Sequence, residues 1–143
     1  MKKFIYISIV MAILLFTLFE WLRHPLPVTK GTHTISGLLK QVDIYTDKYG
    51  VPHIFADNEQ DLFFAAGYIA ARDRLFQLSL VSLAVRGGLS SVLGPEYLEK
   101  DIYFRTWKIH ETAKKLVENM NARNKVIFED FCKGINFRID EVY

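Results

Sequence analysis

The chain has 143 residues, a formal net charge of +2 and 50% hydrophobic residues, enough for one soluble domain plus a targeting segment. Lys and Arg are scattered among Asp and Glu rather than gathered in a stripe, which excludes the electrostatic footprint of a nucleic-acid binder. Cys132 is the single cysteine, so an intrachain disulfide and a cysteine-rich metal site are excluded and a buried thiol is its expected role.

Lys2 and Lys3 precede an uncharged run from Phe4 to Phe19. Carried on to Leu22, that segment spans roughly 28 Å as a helix, close to the thickness of a bilayer core. Glu20 falls at the far end, where Trp21 and Arg23 also mark an interface, and the two lysines favour a cytoplasmic start. Residues 1–23 are therefore expected to form a signal anchor that enters the membrane through residues 4–22. The soluble part would then be exported, periplasmic or extracytoplasmic, and held at the inner membrane. A cleaved signal peptide is the rival reading, and it lacks a small-x-small site after the apolar run.

Residues 24–40, "HPLPVTKGTHTISGLLK", carry two Pro and two Gly and predict an extended linker. In "QVDIYTD", Val42, Ile44 and Thr46 alternate with Asp43, Tyr45 and Asp47, the pattern of a half-exposed strand. "DKYG" is a turn in which Gly50 suits a positive φ. "VPHIFA" returns as a second strand, and Pro52, lacking a donor, belongs at a strand start or edge. Asp57 and Asn58 both suit a helix cap, and Asp57 with Gln60 has capping-box spacing.

A helix is expected from Glu59 to Val85, ending at Gly87-Gly88. One row carries Leu62, Ala66, Ile69, Asp73, Phe76 and Leu80, and the next carries Phe63, Gly67, Ala70, Arg74, Gln77 and Val81. Apolar on nearly all sides, such a helix has to be buried by surrounding protein or lipid. A second membrane span would put Arg72, Asp73 and Arg74 near its centre at roughly 8–10 kcal/mol before any pairing, so burial by protein is preferred. "LSSVLGPEYL" is turn-rich, while "DIYFRTW", "IHETAKKLVENM" and "NKVIFEDFCKGINFRIDEVY" predict further helices. In the last, Ile127, Phe131, Ile135 and Val142 are expected to share a face near Phe128 and Ile139. That pattern is still running at Tyr143, which together with the all-round apolar helix suggests further protein.

Few residues offer chemistry. His53 has no second His or Cys at metal-ligand spacing. Asp73 on an apolar row needs a partner. Its neighbours Arg72 and Arg74 point about 100° to either side on a regular helix, so another element is expected to supply it. "GLSSVLG" lacks the Gly-x-Ser-x-Gly elbow, and "VRGGLSS" lacks the Lys of a phosphate-binding loop. No residue from Met1 to Tyr143 is assigned a catalytic, cofactor-binding or metal-binding role.

An ordered set of residues nevertheless resembles the start of the penicillin acylase family of amidases. It runs through Leu26-Pro27, Gly31, Gly37-Leu38, Val42, Asp47, Gly50-Val51-Pro52-His53-Ile54 and Ala56. It continues through Asp61-Leu62, Ala65, Gly67-Tyr68, Ala71, Asp73-Arg74-Leu75 and Gln77 to Gly87, Leu93-Gly94, Asp101 and Arg105. Two positions depart from the family pattern: Ser82-Leu83 stands where an Arg-Arg pair is common, and Ser91 where an acid is common. The resemblance implies an α+β fold, with the hairpin and helices of residues 41–143 forming part of an αββα sandwich completed by a β-subunit. It also implies an N-terminal-nucleophile hydrolase that cleaves itself to expose a Ser whose own α-amine is the base. Backbone N–H groups and an Asn side chain would hold the oxyanion. A structural calcium is implied for the full-length enzyme, with no ligand in this chain. The expected partners are thus the β-subunit, an amide substrate and the membrane. An acyl-homoserine-lactone acylase of the same family stays open, as does a non-catalytic, membrane-tethered interaction domain or decayed remnant.

Overall fold

The computed structural model describes residues 2–23 and 30–142, with side chains described over 4–21 and 30–142. The chain forms two compact units, Met1–Thr34 and Ile35–Tyr143. Leu26-Pro27 and most of the first half of the expected linker lie outside the described residues, as does Tyr143.

The first unit holds α1, Lys2–Arg23. Its stretch Phe4–Trp21 has a mean hydropathy of 2.1, is entirely unburied, and is long and apolar enough to cross a membrane. Its serine and threonine hydroxyls are compatible with an apolar solvent, because Ser8 Oγ donates to the Phe4 carbonyl and Thr17 Oγ1 to the Leu14 carbonyl, each at 3.0 Å.

The second unit begins with an antiparallel hairpin of β1 (Asp43–Thr46) and β2 (Pro52–Phe55), registered so that Ile44 faces Ile54 and Tyr45 faces His53. Gly50 takes the expected positive φ of 82° in the turn. Asp47 clamps that turn, accepting from the Tyr49 and Val51 amides at 2.8 and 2.9 Å. Pro52 sits at the start of β2, opposite Thr46. One expectation fails: all four residues of β1 are exposed, so the strand has no buried face within this unit.

Helix α2 spans Glu59–Val85, the boundaries read from the sequence. Its cap is Asn58, whose Oδ1 accepts from the Asp61 amide at 2.8 Å. The Asp57–Gln60 box does not form; Asp57 instead pairs with Lys40 at 3.2 Å. Gly87, at φ 66°, closes the helix: its amide donates to the Ala84 carbonyl and the Gly88 amide to the Leu83 carbonyl, the paired bonds of a left-handed helix stop. The helix is not regular throughout, since Arg74 has φ −141° and ψ 29°. Short helix α3 (Ser90–Leu93), a 3₁₀ turn (Pro95–Tyr97), α4 (Leu98–Thr106), α5 (Ile109–Glu118) and α6 (Ala122–Val142) follow. Lys108, in the left-handed region at φ 51°, separates α4 from α5.

The core is the contact between α2 and α6. Contacts between them run from Glu59–Arg123 near both N-termini to Tyr68–Glu141, with Gly67–Phe131 and Phe64–Gly134 at the crossing. Phe64, Ala65, Ile69 and Ala71 are buried. Phe137 packs between Phe64 and Tyr68, with ring centroids at 5.9 and 6.1 Å. At the crossing, Gly67 lies against the Phe131 carbonyl and Gly134 against the Phe64 carbonyl and Tyr68 amide. Each helix thus contributes the hole into which the other's backbone fits. The expected apolar face of α6 is displaced accordingly: Asp130 and Gly134 are its buried positions, while Phe128 and Val142 are exposed.

Candidate functional site

Three carboxylates are buried in the second unit, at Asp61, Asp101 and Asp130. Asp61 is fully buried and accepts from the Leu39 and Lys40 amides at 2.8 and 2.9 Å and from Asn58 Nδ2 at 2.6 Å. It thereby fastens the last residues before the hairpin to the first turn of α2. Burial alone pushes its carboxyl pKa up, but the amide and Asn58 hydrogen bonds outweigh that and hold it below the ordinary value. Asp101 on α4 does the same for the loop after α2, accepting from the Leu89 amide, the Ser90 amide and Ser90 Oγ at 2.7, 2.9 and 2.6 Å. There too burial is outweighed by hydrogen bonds, and the carboxyl is held low. Arg105 completes this joint by donating to the Gly87 carbonyl at 2.9 Å. Asp130, buried on α6, pairs with Lys133 Nζ at 2.7 Å. No buried side-chain polar atom lacks a partner among the described residues.

The residues singled out for possible chemistry are dispersed. His53 lies on the exposed hairpin with Nε2 3.4 Å from Asp47 Oδ2 and its ring tilted 40° to that of Tyr45, centroids 6.4 Å apart. Asp73 is paired, but with its own neighbour: Arg72 donates to both carboxylate oxygens, at 2.7 and 3.3 Å. Neighbours diverge by about 100° only on a regular helix, and α2 departs from helical geometry at the next residue, Arg74. Cys132 is partly buried, and burial raises its thiol pKa, the opposite of a nucleophilic cysteine. Among the described residues no three His, Cys, Asp or Glu side chains converge to hold a metal ion. At the two departures from the family pattern, hydroxyls bond locally: Ser82 Oγ accepts from Arg86 and Ser91 Oγ donates to the Gly88 carbonyl, each at 2.6 Å.

What the unit does offer is uncovered apolar surface. Within this chain the buried positions of α2 all lie between Asp61 and Ala71; beyond Arg74, Phe76 is 75% and Val81 58% exposed. The hairpin exposes Tyr45, Tyr49, Val51 and Phe55. Tyr103, Trp107, Ile109 and Leu116 line an open cleft of about 370 Å³ between α4 and α5. Sequence patterning identified the apolar residues but not which of them stay uncovered, because amphipathicity does not say where the covering protein comes from.

Residues 41–143 match the family model described as Penicillin amidase. The chain is 35% identical over 111 residues to "Acyl-homoserine lactone acylase QuiP" of Pseudomonas aeruginosa, covering 78% of this chain and 13% of that protein. It is 33% identical over 117 residues to "Penicillin acylase 2 proenzyme" of Pseudomonas sp. (strain SE83), covering 82% of this chain and 15% of that one. Among solved structures it is similar to a thermostable penicillin G acylase from Alcaligenes faecalis, with TM-score 0.64 and 29% identity over 73% of this chain and 56% of that chain. The chain therefore spans about one-seventh of these curated relatives but more than half of the solved chain.

Proposed function

This chain belongs to the penicillin amidase family, and from that membership we propose that it is the N-terminal, α-subunit region of an amidase precursor. The complete enzyme hydrolyses a linear amide, RCO–NHR′, by acyl transfer through a serine that lies outside residues 1–143. The observation that carries this reading is the family match over 41–143, joined to relatives named as acylases. The relative named as a proenzyme, and a solved chain several-fold shorter than the curated relatives, support assembly from a precursor and a partner subunit. In this reading residues 41–143 are scaffold: the carboxylate clamps fix the hairpin, α2 and α4, and the uncovered apolar faces receive the rest of the enzyme. In this reading a structural calcium belongs to the complete enzyme, and no residue of this chain is assigned to it.

Residues 1–23 serve as the anchor or signal, supported by the apolar helix over Phe4–Trp21, and carry the unit beginning at Ile35 out of the cytoplasm. Residues 24–40 connect the anchor to the body. An acyl-homoserine lactone substrate is the second reading, favoured by the relative at 35% identity that bears that name. Reading the coding frame past codon 143 tests the proposal. A continuous frame, or an adjacent one, with a serine at a processing junction is expected. The lack of either would leave a membrane-tethered domain without hydrolytic function.

A further inference from the structure

We propose that Lys108 is a two-position hinge. In one position it holds α4 and α5 bent around their apolar cleft, and in the other it joins them into one continuous helix from Leu98 to Glu118. Such a hinge is a property of this chain alone and does not depend on the amidase reading.

Lys108 is the one non-glycine residue with a positive φ among the described residues, at φ 51° and ψ 38°. Glycine is the usual occupant of that region, whereas lysine favours the right-handed helix. The chain supplies no breaker there, since residues 96–133 contain neither Gly nor Pro. On both sides the backbone is already helical. The Trp107 amide donates to the Tyr103 carbonyl at 3.1 Å, and the Thr112 amide to the Lys108 carbonyl at 2.9 Å. The first turn of α5 has no side-chain cap. Turning Lys108 to right-handed φ and ψ lets the Ile109, His110 and Glu111 amides bond to the Arg105, Thr106 and Trp107 carbonyls, as in any helix interior. Local preference therefore favours the straight form.

Apolar contact opposes it. In the bent form Tyr103 and Trp107 share the cleft with Ile109 and Leu116. On a continuous helix, Ile109 and Leu116 lie at least about 120° around the axis from Tyr103 and Trp107, so straightening abolishes the cleft. The contact it gives up is slight. Trp107 is 64% and Leu116 66% exposed, and α5 has no buried residue. No side chain of α5 makes a hydrogen bond or ion pair among the described residues. A joint with a strong local alternative, opposed only by a slight contact, is a bistable element. Burying the cleft favours the bent form, and losing its contacts favours the straight one.

Double electron–electron resonance on the full 143-residue chain in detergent micelles reads the two positions directly. Spin labels are placed at Glu99→Cys and Lys115→Cys, with Cys132→Ser removing the native thiol. The straight form sets those two Cα atoms about 24 Å apart, and the bent form sets them closer. Both distances are expected in the chain that keeps Lys108. Lys108→Gly, which suits the left-handed region and weakens the helix, is expected to reduce the long-distance fraction at least about threefold. Leu116→Asp, which weakens the cleft contact, is expected to raise that fraction at least about twofold. Because the two variants push the populations in opposite directions, loss of fold cannot mimic the pair of results. A single distance common to all three chains overturns the hinge, and so do proportions that either variant leaves unchanged.

Discussion

Gly134→Ala is expected to unfold the α2–α6 core. A Cβ at this position would overlap the Phe64 carbonyl oxygen and lie 2.8 Å from the Tyr68 amide nitrogen. Both obstacles are backbone within a helix, so no side-chain rotation relieves the clash and the two helices must separate. Separation also opens the Phe64, Tyr68 and Phe137 cluster that the close approach makes. Overpacking of this kind typically costs about 1–3 kcal/mol where side chains can shift, and at an unyielding backbone contact it reaches about 4 kcal/mol or more. For a unit of this size that is a large part of the total stability. Hydrogen exchange of the amides of residues 61–71, in the full chain in micelles, is expected to lose most of its protection. Gly67→Ala, which meets the Phe131 carbonyl, acts at the same crossing, so the double variant is expected to fall well short of the sum. Asn136→Ala, on the exposed side of α6, is expected to leave exchange unchanged.

Asp101→Ala is the second large effect expected. It strands the Leu89 amide, the Ser90 amide and the Ser90 hydroxyl, which together attach the loop after α2 to α4. Losing charge-assisted bonds to buried donors is expected to lower Tm by about 10–20 °C and to free α4 from α2. The same carboxylate gives stability a pH dependence with a definite sign. The folded pKa of Asp101 lies below its unfolded value, as does that of Asp61. Their contribution is therefore fully present above the unfolded carboxylate pKa, near 4, and is lost as pH falls through the lower folded value. Thermal unfolding is expected to be flat in this respect between about pH 7 and 5 and to weaken below about pH 4. Asp101→Asn is expected to flatten part of that acid limb. An unchanged acid limb would mean that the clamp does not hold the fold.

How much was legible in the sequence depends on whether an interaction leaves a local pattern. The hairpin, its Gly50 turn and both ends of α2 do so, through alternation, turn chemistry and the Gly87-Gly88 stop, and they stand where expected. The clamps do not. Asp61 and Asp101 bind backbone amides 21–22 and 11–12 residues away, and a backbone amide carries no side-chain signature. Gly67 and Gly134 likewise look like two ordinary helix glycines until the crossing brings each against the other helix's main chain. The partner of Asp73 was misjudged because angular reasoning on an ideal helix cannot anticipate the break at Arg74. The family was legible from the ordered motif set, and several of its members now have physical roles. Asp47, Asp61 and Asp101 each tie down backbone amides, Gly67 permits the helix crossing, and Arg105 holds the Gly87 carbonyl.

The central claim is that this chain is scaffold for an amidase whose chemistry lies elsewhere in the protein. Amide hydrolysis is the most direct measurement, using a chromogenic phenylacetyl anilide and an acyl-homoserine lactone as substrates. It compares the purified 143-residue chain in micelles with the complete product of its coding frame and any adjacent amidase frame. No turnover by the chain alone, and turnover of at least one substrate by the complete product, is the predicted result. Hydrolysis by the chain alone, or a complete product inert toward every linear amide tried, would contradict it.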